Sequence, residues 1–343
     1  MSETQSPLTL LEVATAGERS KVMFALIELQ IPTWLATGPL SAGAIAERLG
    51  ADPLAIDRFL TACTAVGLLV RQGDLFHNAE PSERFLVRES DAYLGDALLR
   101  YERMTHSVPW SHFVKRLLTW RAGGSSDRVS REGATIAAEN EGEHRLSVLA
   151  GDALASALDL SGHRCLLDLG GGSGGMSIAL CRRFPALRAI VVERSAVARL
   201  AQVHVSASGL GDRIHVQDGD FLVDPLPGRC DVALLANVLS MLSSETSRAL
   251  LGRVLDYLPN DGRIVLSGWM LDDDHAGPAL PALLSLEDVI LGAPDVERCS
   301  STYAAWLGEA GFVGIERRAY FEPYRLVLGR KPASNEPDRK HGR

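Results

Sequence analysis

The stretch Cys165-Leu-Leu-Asp-Leu-Gly-Gly-Gly-Ser-Gly-Gly-Met176 decides the fold. Apolar residues run up to and past Asp168, and five glycines then fill six positions, 170–175. Met176–Phe184 follows with apolar residues at helical spacing. The order is strand, tight turn, helix. Glycine admits positive φ and lets a ligand lie against the main chain. The N–H groups of such a turn, and the helix N-terminus behind it, face that ligand with partial positive charge.

Two cofactors compete for this turn. Gly170-x-Gly172-x-x-Gly175 satisfies the dinucleotide fingerprint, and Glu193 stands near the usual distance for a ribose-binding acid. Asp168, two residues before the first glycine, instead makes Asp-x-Gly-x-Gly-x-Gly over 168–174. An acid there suits a cationic ligand group better than a pyrophosphate. The stretch resembles the first motif of class I S-adenosylmethionine (SAM) methyltransferases.

Bulk properties narrow the partners. The 343 residues suffice for two domains or one large one. An apolar fraction of 46% and a charged fraction of 23% are ordinary for a globular protein. A net charge of −8 argues against nucleic acid as a partner. No apolar run reaches membrane-spanning length, and Met1-Ser-Glu-Thr-Gln-Ser-Pro7 shows no secretion signal. The expected location is cytoplasmic. Cys63, Cys165, Cys181, Cys230 and Cys299 are odd in number and lack metal-ligand spacing, so reduced core thiols and no metal are expected.

Ahead of the glycine turn, residues 8–29 form a long apolar-periodic segment, apolar on more than one face over Val22–Leu29. Such a helix must bury both sides, against a partner subunit or its own domain. Ser41 caps a helix to Leu49, and Asp52 with Pro53 opens the next. Leu68–Arg71 and Leu75–His77, joined at Gln72-Gly-Asp74, read as a hairpin wing. This is a winged helix. From 40 to 77, three arginines oppose four acids, which makes a poor DNA reader. Residues 80–160 read as helical and aromatic-rich, from core packing or an aromatic substrate pocket.

Behind the turn, strands are expected at 188–193, 213–217, 231–237 and 263–267, with helices between. Two further strands flank Glu322-Pro-Tyr324 as an antiparallel pair. The fold class is α/β: a Rossmann-like, doubly wound, mostly parallel sheet with an antiparallel C-terminal strand, preceded by a helical winged-helix domain. Ligands bind at the strands' C-terminal ends, where Glu193 and Asp218-Gly-Asp-Phe221 fall.

With the winged helix in front and these strand ends behind, residues 8–331 resemble the small-molecule O-methyltransferases of plant phenolic, hydroxyindole and bacterial natural-product type. The glycine motif, Glu193 at the ribose acid, Gly219-Asp-Phe221 and Leu271-Asp-Asp-Asp274 carry the match. The resemblance implies a winged-helix dimerisation domain over 8–100, a helical linker and pocket segment over 101–160, and a SAM-binding domain over 161–331. A disordered tail of 332–343 is expected to follow. It implies a homodimer acting on a small molecule, with S-adenosyl-L-homocysteine (SAH) as cofactor product. Expected cofactor contacts are Asp168, Gly170, Gly171, Gly172, Glu193, Arg194, Gly219, Asp220, Phe221 and Asn237. The expected substrate pocket is Trp110, Phe113, Ser240, Met241, Trp269 and Met270.

This chain departs from the family in its proton-abstraction machinery. The catalytic His after the fourth strand is replaced by Ser240 in Val238-Leu-Ser-Met-Leu242. Trp269 stands where an acid ends the fifth strand, and Glu297-Arg-Cys-Ser-Ser-Thr-Tyr303 offers only hydroxyls where another acid is usual. A positioned sulfonium methyl needs a base chiefly when the nucleophile is a neutral hydroxyl. A lone Ser240 hydroxyl is no base. The expected reaction is therefore methylation of a small aromatic or polycyclic metabolite at carbon or another intrinsically nucleophilic centre. The alternatives are a non-methylating step on the same fold (ring closure, decarboxylation or hydroxylation) and a winged-helix ligand-sensing regulator. Any base comes from elsewhere, with His144 first, then His106 and Tyr101.

Overall fold

The computed structural model describes residues 7–107, 110–120, 133–291 and 299–333. The chain divides into two compact units, 1–104 and 105–343.

In the first unit, helices α1 (Pro7–Ala14), α2 (Ala16–Glu28) and α3 (Ile31–Leu35) precede strand β1 (Leu40–Ser41). The segment read as one run over 8–29 is broken at Thr15. Only Phe24, Leu26 and Ile27 of α2 are buried. Helix α4 (Ala42–Leu49) starts where Ser41 Oγ accepts the Ala44 N–H, and α5 (Pro53–Ala65) starts at Asp52, which accepts from Leu54 and Ala55. Strands β2 (Leu69–Gln72) and β3 (Leu75–Asn78) form the hairpin, with β1 on its free edge. Leu26, Ile31, Ile45, Leu60 and Phe76 are fully enclosed in this unit's core. Helix α6 (Glu80–Phe85) follows, and α7 (Gly95–Ser107) runs past the unit boundary.

The second unit continues with α8 (Phe113–Thr119) and α9 (Gly133–Ala157). Then come β4 (Cys165–Leu169), α10 (Gly175–Arg183), β5 (Arg188–Glu193), α11 (Ser195–Ala207), β6 (Ile214–Asp218) and β7 (Val232–Ala236). They are followed by α12 (Ser244–Tyr257), β8 (Arg263–Trp269), α13 (Ala279–Leu291), α14 (Ser300–Ala310), β9 (Val313–Phe321) and β10 (Tyr324–Arg330). The sheet order is β6-β5-β4-β7-β8-β10-β9, parallel from β6 to β8 and antiparallel through β10 and β9. The chain winds outward from β4 to β6, then crosses back to lay β7 on the other side of β4. That reversal opens a crevice at the C-terminal ends of β4 and β7, the usual ligand position in such sheets.

The two-residue period of β4 separates two cores. Leu166 joins the cluster under α9, α10 and α11, and Leu167 and Leu169 join the one under α12 and α14. Asp168, on the Leu166 face, is thus a carboxylate inside an apolar layer.

One expectation is corrected. Cys165 and Cys230, read as reduced thiols, are joined by a disulfide with Cα atoms 4.4 Å apart. Adjacent parallel strands start there, and the Asp231 carboxylate also takes the Cys165 N–H at 2.8 Å. Cys63, Cys181 and Cys299 are buried and stand outside any disulfide. No described helix is long and apolar enough to cross a membrane. Residues 334–343 of the expected tail lie outside the described residues, as do Glu297 and Arg298.

Candidate functional site

The glycine turn is built from backbone that side chains resist. Gly170, Gly172 and Gly174 have φ of +67°, +57° and +77°. The Gly170 N–H donates to the Val192 carbonyl at 2.9 Å, tying the turn to β5. A Cβ on Gly170 would come 2.9 Å from Val238 Cγ2 and 3.3 Å from the Phe221 ring. A Cβ on Gly171 would come 2.7 Å from the Asp168 carboxyl and 2.8 Å from Val191. The turn therefore presents bare main chain to the crevice.

Asp168 is fully buried beneath that turn. Its Oδ2 accepts the Ser177 hydroxyl at 2.6 Å, and its Oδ1 has no hydrogen-bond partner. Burial pushes its pKa up to about 7, against the Ser177 bond and with the Glu193 charge adding to the rise. A cation held over the turn would favour ionised Asp168, and ionised Asp168 would favour the cation.

Glu193 ends β5 beside the turn. Its Oε2 accepts the Gly172 N–H at 3.2 Å and its Oε1 the Arg194 N–H at 2.9 Å. Burial raises its pKa, partly offset by those two donors. The Gly219 N–H donates to the Glu193 carbonyl at 3.1 Å, so the ends of β5 and β6 lie together. The Asp220 Oδ1 accepts the Leu222 N–H at 2.9 Å, and its Oδ2 lies 3.6 Å from Arg194 Nη2. Phe221 packs against Gly170. These strand ends bring together Asp168, Gly170, Gly171, Gly172, Glu193, Arg194, Gly219, Asp220 and Phe221.

Asn237 occupies a different position. At φ +56° it ends β7, donates its N–H to Ser267 at 2.8 Å and accepts the Trp269 N–H on its side-chain oxygen at 3.1 Å. Its side chain also bonds Tyr324. Asn237 thus straps β7 to β8 and β10. Ser240 donates to the Asn237 carbonyl at 3.1 Å. Asn237, Ser240, Trp269 and Met270 line a shallow cleft with Leu235, Val238, Leu239, Leu266, Ser267, Gly268 and Tyr303. Met270 is buried, whereas Met241 is 72% exposed and does not line the cleft. Trp110 and Phe113 pack on each other, ring centroids 5.5 Å apart.

The candidate bases are spread out. His144, on α9, meets Ser173 Oγ through Nδ1 at 2.8 Å and stacks on His204 with centroids 3.5 Å apart. Burial, then the charges of His204, Arg145 and Arg182, push its pKa down to about 4. A base that weak is poorly matched to neutral pH. Tyr101 is half-buried on α7 in the first unit, and the His106 side chain lies outside the described residues. Among the described cleft-lining residues only Tyr303 carries a titratable side chain. Three nearby residues carried no signal in the sequence reading: Ser177 under the turn, and Tyr320 and Tyr324, whose hydroxyls meet Ser267 and Asn237. Ser177 is reached from Asp168 only across the glycine turn, from β4 to the first turn of α10. Nothing local marks the tyrosines, which arrive from strands over 50 residues further on. No cluster of metal-ligating side chains occurs among the described residues.

Comparisons with known proteins agree with this geometry. An O-methyltransferase domain model matches residues 104–313, and an O-methyltransferase dimerisation domain model matches 5–88. The chain is 32% identical to a 3-hydroxy-5-methyl-1-naphthoate 3-O-methyltransferase of Streptomyces sahachiroi, over 92% of each chain. It is 30% identical to the N,N-dimethyltransferase OxyT of Streptomyces rimosus, over 89% of this chain and 90% of that one. The crystal structure of human N-acetylserotonin methyltransferase with SAM superposes with a TM-score of 0.84 at 27% identity, covering 97% of this chain and 99% of that one.

Proposed function

This chain belongs to the O-methyltransferase family and is a SAM-dependent methyltransferase, and from that premise we propose that it methylates a small aromatic or polycyclic metabolite at an atom that needs no base at position 240. Relatives named for a naphthoate and for tetracenomycin polyketide synthesis support the acceptor class, and the named reactions of relatives span oxygen and nitrogen. One observation carries the rest. The Ser240 hydroxyl is engaged with the Asn237 carbonyl, and among the described residues that line the cleft there is no His, Asp, Glu or Lys. The acceptor is thus a ring or enol carbon, an amine, or a phenol already ionised.

The residues present fit SAM. The unpartnered, buried Asp168 Oδ1 suits a cationic ligand, and the space a Cβ would fill at Gly170 and Gly171 is closed to anything but main chain. Bound SAM supplies an already activated methyl group. Glu193 would hold the ribose hydroxyls, the turn's N–H groups would receive the carboxylate, and Asp168 would balance the cation. Phe221 would offer a ring face to the adenine. Trp269, Met270 and Tyr303 would exclude water and orient the acceptor, which supplies much of the rate.

Ser240→Ala should keep turnover within a few fold. The assay pairs SAM with acceptors screened from naphthols, aromatic amines and enolic polycycles. Removing a general base costs about a hundredfold or more. A loss of that size with SAM affinity intact would make Ser240 part of the proton path and sink this reading.

The first unit serves as the dimerisation domain. Its α1 leaves Leu10, Leu11 and Val13 exposed at 74%, 59% and 72%, an apolar face suited to a second copy. Sedimentation at micromolar concentration should show about twice the 36.9 kDa chain mass. A folded monomer at that concentration would contradict it.

A further inference from the structure

The glycine turn contains one side chain that points away from its ligand face. Ser173 is the sole non-glycine residue between 170 and 175, flanked by Gly172 and Gly174 in the left-handed region, and it is 4% exposed. Its hydroxyl meets His144 Nδ1 at 2.8 Å. On the opposite side, the Gly172 N–H is held by Glu193 at 3.2 Å. The turn therefore has two side-chain moorings, one on β5 and one on α9.

The second mooring is rigid. A Cβ on Gly175 would come 2.7 Å from Ser147 Oγ, and one on Gly151 would come 2.7 Å from Ala179 Cβ and 2.9 Å from Met176 Cα. Helix α9 is thus seated directly on the first turn of α10. His204 of α11 lies flat against the His144 ring, with centroids 3.5 Å apart and 9° between the planes. Three helices, α9, α10 and α11, meet around one imidazole. The groups facing it are His204 of α11, Arg182 of α10 and its own neighbour Arg145, all cationic or able to become so. Burial first, and then these charges, keep the ring neutral at ordinary pH. A neutral imidazole can donate to Ser173 or accept from it, according to tautomer.

We propose that His144 is a positioning residue: through Ser173 it holds the glycine turn in its cofactor-binding geometry, with His204 as the surface that fixes the ring. This inference rests on the reading that the turn binds SAM. It removes His144 from the proton path, since its inward nitrogen is spent on Ser173.

The test is calorimetric titration of the full-length protein with SAH, alongside melting curves. His144→Phe and Ser173→Ala should each weaken SAH about tenfold, the effect of one well-placed hydrogen bond. The double variant should lose no more than either single one, because both remove the same contact. His144→Asn, whose amide can reach Ser173, should recover most of the affinity. Losses that multiply in the double variant, or an asparagine no better than phenylalanine, would overturn the proposal while leaving SAM binding intact. Should His144→Phe fail to fold, Ser173→Ala and His144→Asn still decide it: wild-type affinity in Ser173→Ala would overturn it. A wild-type protein that takes up no SAH would overturn the cofactor reading, and this inference with it.

Discussion

Glu193→Ala is expected to weaken SAH binding about a hundredfold or more while leaving the fold in place. The side chain stands at the C-terminal end of β5 with both oxygens already shaped by backbone donors, Gly172 and Arg194. A half-buried carboxylate held in that way is ready to accept from paired hydroxyls without reorganising. Each hydrogen bond to a charged acceptor is worth about 1.5–3 kcal/mol, and the variant removes two together with the mooring of Gly172. Glu193→Gln keeps one acceptor oxygen and the shape, so its loss should be nearer tenfold. Calorimetry with SAH reads both, and circular dichroism checks the fold. Equal affinities for wild type and alanine variant would show that the ribose lies elsewhere.

Gly170→Val should lower the melting temperature by about 10 °C and abolish SAH binding. Two costs add. At φ +67° a β-branched residue is strained by about 1–2 kcal/mol. Its Cβ would then sit 2.9 Å from Val238 and 3.3 Å from Phe221, which are packed elements of the crevice, so overpacking adds about 1–3 kcal/mol. Relief requires moving the ends of β4 and β7 apart, which opens the ligand cradle. Thermal denaturation measures the first effect and SAH titration the second. A melting point within about 2 °C of wild type would show that the turn can relax without cost.

Much of this protein is written locally. The apolar run to Leu169 and the glycines after it specify a strand and a turn whatever surrounds them, because no other residue tolerates three positive φ values in five positions. Ser41 and Asp52 cap the helices they were expected to cap, since capping depends only on residues two or three ahead. The parallel sheet follows from the alternation of apolar strands and helices, and the position of Glu193 follows from the strand's end. The expectation that Ser240 stands where the resemblance implies a catalytic His is likewise drawn from the residues alone.

Other features depend on which segments meet. Periodicity suggested one helix over 8–29, but at Thr15 the backbone leaves helical geometry (φ −101°, ψ +11°), a local turn that the apolar pattern does not record. The pairing of Cys165 with Cys230 depends on β4 and β7 being neighbours, 65 residues apart in sequence. The role of Asn237 depends on Tyr324 and Trp269 arriving from β10 and β8. The fate of His144 depends on α11 laying His204 across it. In each case the residue type allows several roles, and a partner distant in sequence selects one. The sequence by itself determined strand, turn, caps and cofactor-end chemistry, because those are fixed by backbone sterics and short-range hydrogen bonds. Tertiary structure alone decided which polar groups are spent and which remain open, because burial and the nearest partner, not identity, set what a side chain can do.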